Sequence, residues 1–144
     1  MKKPSQLKAK KHLSQNFLTD QNVINKIIKS FDLGKSDHVI EIGPGYGSMT
    51  FPIIEMVDSI DVIELDKDLA NYLNEHDRKG LINVIQADAM RFDFASLKKK
   101  KKIRLIGNLP YHISTPLLFH LLEFSAIFHD FHVCLLYTSD AADE

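Results

Sequence analysis

The stretch His38-Val39-Ile40-Glu41-Ile42-Gly43-Pro44-Gly45-Tyr46-Gly47 decides the fold. Its first half is a short β-branched run, the pattern of a buried strand, and it breaks off at a glycine. Glycines placed there let the backbone approach a ligand closely and take conformations that a side chain forbids. Alone, such a turn serves a dinucleotide, a nucleoside or only a tight bend. The spacing is G-x-G-x-G, whereas the dinucleotide fingerprint is G-x-G-x-x-G, and Ser48 stands where its third glycine belongs.

Working outward, Asp20 is placed to cap a helix over residues 20–31, with Val23, Ile24, Ile27, Ile28 and Phe31 on one face. Downstream, the pattern predicts a helix over 48–56, a strand over 60–65, a helix over 67–76 and a strand over 82–86. A fourth strand is expected over 103–107. A helix over 115–128 then carries Pro116 in its first turn, where proline is tolerated. A fifth strand covers 131–136. Strand and helix alternate at short spacing, which predicts an α/β fold with a doubly wound, mostly parallel sheet. Ligands in such sheets bind outside the carboxyl ends of the strands.

The 144 residues suit one domain, 44% hydrophobic and 26% charged. No apolar run approaches the ~20 residues of a membrane span. No apolar stretch follows the lysine-rich N-terminus, so a secretory signal is not expected and a cytoplasmic location is. Cys134 stands alone and the seven histidines form no tight cluster, so neither a disulfide framework nor a metal site is expected. The net charge of −1 conceals two basic runs: five lysines and no acid in 1–19, and Lys98 through Lys102 followed by Arg104. Such runs attract a polyanion; the bland alternative is an arm and a solvated loop.

Three strand ends carry polar groups suited to a nucleoside. Glu64 ends an apolar strand about 20 residues beyond the glycines, where an acidic side chain accepts hydrogen bonds from ribose hydroxyls. The alternative is an exposed strand-end carboxylate. Asp66 suits a helix cap. Asp88, flanked by small Ala87 and Ala89 and followed by Met90, can accept a bond from an adenine amino group. After the fourth strand comes Gly107-Asn108-Leu109-Pro110-Tyr111. The Asn108 side-chain oxygen and the Leu109 carbonyl can accept both N–H bonds of an exocyclic amine. Pro110 fixes the turn, and Tyr111 offers a face for a base to stack on. The innocent reading is a proline turn with a packed tyrosine. Phe119, Leu122, Phe124 and Phe128 read as helix core, and Phe92 and Phe94 as anchors of a loop.

Taken with Gln15-Asn16-Phe17-Leu18, these motifs resemble the ribosomal RNA adenine-N6 dimethyltransferases over residues 10–135. Ile113-Ser114-Thr115-Pro116-Leu117-Leu118-Phe119-His120 is more similar to the small-subunit branch than to the large-subunit, antibiotic-resistance branch. The resemblance implies a Rossmann-like, class I S-adenosylmethionine-dependent methyltransferase fold, incomplete at the C-terminus. It implies S-adenosyl-L-methionine as cofactor. It further implies transfer of methyl groups to the N6 amines of two adjacent adenines in small-subunit rRNA, within an assembling ribosomal subunit, by a monomer without metal or membrane. By the same resemblance, Asn16, Leu18 and Gly43 meet the methionine portion, Glu64 the ribose and Asp88 the adenine, and Gly45 also belongs to the cofactor site. Asn108 then lies between cofactor and target.

His112 stands where many relatives have asparagine. The organisation expected is a basic arm over 1–19, a partial catalytic domain over 20–135, and a tail over 136–144 that leaves the family pattern. A small helical domain that the family carries is then absent, and poor stability with weak turnover is expected. The competing functions are adenine-N6 methylation of large-subunit rRNA or DNA, and a non-catalytic RNA-binding assembly factor. A nicotinamide-binding module is the weakest, because the glycine spacing disfavours it.

Overall fold

The structure, a computed structural model, describes residues 20–136. The expectations placed on Asn16, Leu18, the basic arm and residues 137–144 lie outside the described residues. Five strands form one parallel sheet: β1 (His38–Ile42), β2 (Ile60–Glu64), β3 (Ile82–Gln86), β4 (Ile103–Pro110) and β5 (Phe128–Leu136), in the order β3-β2-β1-β4-β5. The order reverses between β1 and β4. That switch opens a crevice at the carboxyl edge, beside the glycine turn.

Helix α1 (Gln21–Ser30) starts where Asp20 accepts the N–H groups of Asn22 and Val23. Its Ile24 and Ile28 are buried against Val39, Val62 and Ile106 on one face of the sheet, with Ile53 and Leu73. Helix α3 (Lys67–His76) is capped by Asp66, which accepts from Asp68 and Leu69. On the other face Ile40, Ile42, Ile63 and Leu105 pack against Phe94, Leu117, Leu121 and Phe128. A parallel sheet covered on both faces explains why β1 and β2 are buried at all five positions.

Several boundaries differ from expectation. Helix α2 is only Thr50–Ile53; past Pro52 the Glu55 and Met56 amides bond three residues back, so the expected 48–56 helix tightens into turns. Strand β4 runs on to Pro110, because Asn108, Leu109 and Pro110 pair with Cys134, Leu135 and Leu136 of β5. Helix α4 (Tyr111–Leu122) therefore starts four residues early, and Pro116 lies inside it rather than in the first turn. There its missing N–H forgoes a bond to the His112 carbonyl. Strand β5 begins at Phe128, not 131, since a 3₁₀ turn at Ser125–Ile127 ends the helical stretch.

Burial of that region also departs from expectation. Phe119 is 69% exposed and Leu122 51%, while Leu117 and Leu121 fill the core instead. A helix apolar on every side does not reveal which face the sheet takes. Phe94 is fully buried and packs edge-on against Phe92, the anchoring role expected of that pair. Among the described residues no helix is long and apolar enough to cross a membrane.

Candidate functional site

The glycine turn owes its shape to backbone freedom at its three glycines, all at positive φ. Gly43 has φ +66°, and a Cβ there would stand 3.4 Å from Leu109 Cδ2. Gly47 has φ +85°, and a Cβ would overlap the Phe51 ring. Both conformations are ones that β-carbon-bearing residues avoid. The turn is tied down by Gly43 N–H to the Ile63 carbonyl at 3.0 Å and Gly47 N–H to the Pro44 carbonyl at 2.9 Å.

Glu64 is buried, 4% exposed, so the exposed-carboxylate alternative fails. Its Oε1 accepts the Gly45 N–H at 3.2 Å and its Oε2 accepts the Asp66 N–H at 2.9 Å. A carboxylate has about four acceptor positions, so lone pairs remain for hydroxyl donors in the cavity it lines. Asp88 Oδ1 accepts the Met90 N–H at 3.0 Å, which fixes the rim across from Glu64. One cavity is lined by Gly43, Gly45, Glu64, Asp88, Asn108, Leu109 and Pro110. The structure thus gathers there every described residue expected to bind cofactor or catalyse, except Tyr111. That tyrosine opens α4, is 52% exposed and is not part of the lining.

Asn108 is the most informative member. Its Oδ1 is buried and has no hydrogen-bond partner among the described residues. Buried acceptors are nearly always satisfied, and leaving one open costs about 1–3 kcal/mol. Because Asn108 is held in the β4–β5 ladder, opposite Cys134, the amide sits on a rigid strand end and not on a loop.

Sequence reasoning missed two contributions. Ile113 and Leu117 also line the cavity; the first was hidden because α4 was expected to begin at 115, the second because an all-apolar helix does not show which face meets the sheet. Glu41, read only as part of the glycine motif, is a buried carboxyl, 1% exposed, that accepts the Thr50 hydroxyl. It braces β1 to α2 behind the turn. Burial pushes its pKa up to about 7; the Thr50 hydrogen bond opposes the rise and the nearby Glu64 charge adds to it.

That shift has a sign. The folded chain holds this proton more tightly than the unfolded one. The contribution to stability is full below the unfolded value near 4.5 and is lost as pH rises through about 7. Glu41→Gln is therefore expected to gain about 2–3 kcal/mol on the wild type between pH 4.5 and pH 8, read by urea unfolding at both pH values. Parallel pH curves would remove Glu41 as the cause.

The family model described as ribosomal RNA adenine dimethylase matches residues 6–139. The ribosomal RNA small subunit methyltransferase A of Pseudoalteromonas translucida (strain TAC 125) is 49% identical over 130 residues, covering 89% of this chain and 48% of that protein. A crystal structure of a dimethyladenosine transferase from Plasmodium falciparum superposes with a TM-score of 0.68 at 25% identity, over 79% of this chain and 41% of that one. The 23S rRNA methyltransferase ErmE shares the fold, with a TM-score of 0.62 at 24% identity over 72% of this chain and 41% of that one. The chain spans about half the length of the curated relatives it matches. With the glycine turn, the three polar strand ends and the match over most of its length, the chain belongs to the ribosomal RNA adenine dimethylase family.

Proposed function

We propose that the cavity binds S-adenosyl-L-methionine and that the protein methylates the N6 amines of two adjacent adenines in small-subunit rRNA, as a cytoplasmic monomer acting on an assembling subunit. The observation that carries this reading is the unsatisfied Asn108 Oδ1 in the same cavity as Glu64, Asp88 and the glycine turn. An acceptor left open at that cost awaits a donor from a ligand. The donor set also fits the cofactor. Glu64 offers lone pairs to ribose hydroxyls and Asp88 to an adenine amine. The bare Gly43 backbone leaves room for the methionine portion, with Asn16 and Leu18 as its further contacts.

The cofactor, when bound, supplies an electrophilic methyl group on a sulfonium. The protein's task is to prepare the amine. An adenine N6 is a poor nucleophile because its lone pair is delocalised into the ring. Asn108 Oδ1 and the Leu109 carbonyl accept its two N–H bonds, drawing the lone pair out of conjugation and towards the methyl carbon. With Asn108 and Leu109 holding the amine in line, the cofactor would supply the methyl group and keep the S–C electron pair on its sulfur. The methylated nitrogen then gives its extra proton to water, so no strong base is needed. Ile113, Leu117 and Leu109 exclude water from the reacting atoms, and alignment supplies most of the acceleration. The base must leave its stack to enter, where Tyr111 offers a surface to receive it.

Calorimetric titration with S-adenosyl-L-methionine tests the cofactor reading. Glu64→Ala is expected to weaken that binding about 10- to 100-fold, through loss of charge-assisted hydrogen bonds worth ~1.5–3 kcal/mol each. Methyl incorporation into precursor small subunits, compared with large-subunit rRNA and DNA, separates the rival substrates. Tight RNA binding without cofactor binding would favour a non-catalytic assembly factor.

A further inference from the structure

We propose that residues 98–102 form a second RNA-binding surface, at the end of the sheet opposite the cavity, which grips the substrate's backbone away from the target base. The inference rests on reading the cavity as an RNA-methylating site.

The five lysines precede β4, whose first residue, Ile103, pairs with His38 and Phe128 at the amino edge of the sheet. Asn108 lies five residues further along the same strand. At ~3.3 Å per residue the run stands roughly 17 Å from the amide. One crossover, residues 87–102, serves both ends. Asp88 and Met90 rim the cavity, and the buried Phe94 pins the middle to the sheet. The chain emerges at the lysines, so their distance from the target is fixed by the core.

The charge at this end is free to act. All five lysines are exposed. Lys101 holds the run in place, its Nζ 2.9 Å from Ser36 Oγ and 3.4 Å from Asp37 Oδ1. The ammonium groups of Lys98, Lys99, Lys100 and Lys102 make no hydrogen bond or ion pair with any described residue. Of the acids at this end, Asp37 and Asp130 are engaged by Arg104, and Asp61 by His38 and Asn83 with the Lys99 charge acting on it, while Asp32 shares a cleft with Lys101 and Lys102. Arg104 is spent on those contacts and does not belong to the basic surface, although it adjoins the run in sequence. Four adjacent like charges repel one another, and a polyanion relieves that repulsion. A nucleic-acid strand carries a phosphate about every 3.4 Å, so the 17 Å reach corresponds to about five nucleotides.

The test uses two RNA hairpins that share a loop with two adjacent adenines, one on a stem of about ten base pairs and one on a stem of about three. Binding is followed by fluorescence anisotropy across a salt series, for the wild-type chain and for Lys98→Ser/Lys99→Ser/Lys100→Ser/Lys102→Ser. With the long stem, the substitutions should weaken binding about 10- to 100-fold at low salt. The slope of log affinity against log salt should flatten by about 2–4, near 0.9 for each phosphate that is no longer neutralised. The short-stem hairpin should lose less than threefold, and affinity for S-adenosyl-L-methionine should not change. An unchanged slope on the long stem overturns the proposal, and so does equal weakening on both hairpins, which would place the run beside the cavity. Failure of the wild type to bind S-adenosyl-L-methionine would instead bring down the reading of the cavity.

Discussion

Arg104→Met is expected to cost the fold about 2–4 kcal/mol at pH 7, the range for removing one partner of a largely buried ion pair with some solvent screening. The guanidinium ties the end of α1 and the loop after it to Asp130 on β5. Its Nε and Nη2 donate to Asp130 at 3.2 and 3.0 Å, and its Nη1 donates to Asp37 at 3.1 Å and to the Asp32 carbonyl at 2.9 Å. Nη2 also donates to the Phe31 carbonyl, at the end of α1. Methionine fills similar volume and strips Arg104's charge from two carboxylates, 18% and 27% exposed, leaving Asp37 only the exposed Lys101. For a chain of this size the loss corresponds to a fall in Tm of roughly 10 °C.

The dependence on acid gives a second reading of the same network. Burial works against the Asp130 carboxylate, yet its bonds to Arg104, His132 and His129 hold the pKa down to about 2. A depressed carboxylate contributes stability that is full above its unfolded value, near 4, and lost as pH falls through about 2. Its share, about 2 kcal/mol, should be roughly half gone by pH 3, so the gap between wild type and Arg104→Met narrows there. A gap equally wide at pH 7 and pH 3 would show that the methionine variant suffers from packing and not from stranded charge.

What the sequence made legible follows from whether the deciding interaction is local. The bounds of β1, α3 and β3 are readable to the residue, because a glycine, the Asp66 cap and short β-branched runs set them within a few positions. The end of β4 and the start of α4 are not. Pro116 signals a helix start locally, but pairing with β5, some 26 residues away, carries the strand to Pro110 and starts the helix at Tyr111. The polar strand ends at Glu64, Asp88 and Asn108 stand out in sequence because charge or amide interrupts apolar runs. Glu41 does not, since its burial depends on Thr50 closing over it from α2. Arg104 reads as one more member of a basic run, and only the approach of Asp37 and Asp130 reveals that it is a staple.

The same distinction sharpens what is expected of Asn108. In this chain joined to the remaining half of a relative, Asn108→Ala should lower single-turnover methyl transfer about 100- to 1000-fold, the loss seen when one preorganised hydrogen-bonding group at a reacting centre is removed. Cofactor affinity should fall less than tenfold, because Glu64 and Asp88 remain. A structural asparagine would behave differently, since its deletion would reduce stability first. Here the amide oxygen is buried and unsatisfied, so its removal takes away a desolvation cost. Asn108→Leu, close in volume, should be as stable as the wild type or up to about 2 kcal/mol more stable while losing methyl transfer to the same degree. Opposite signs in stability and turnover at one position mark a residue held in strain for chemistry. If Asn108→Leu unfolds more easily and the folded fraction still methylates normally, the amide is a packing residue and the proposed route to the amine lone pair fails.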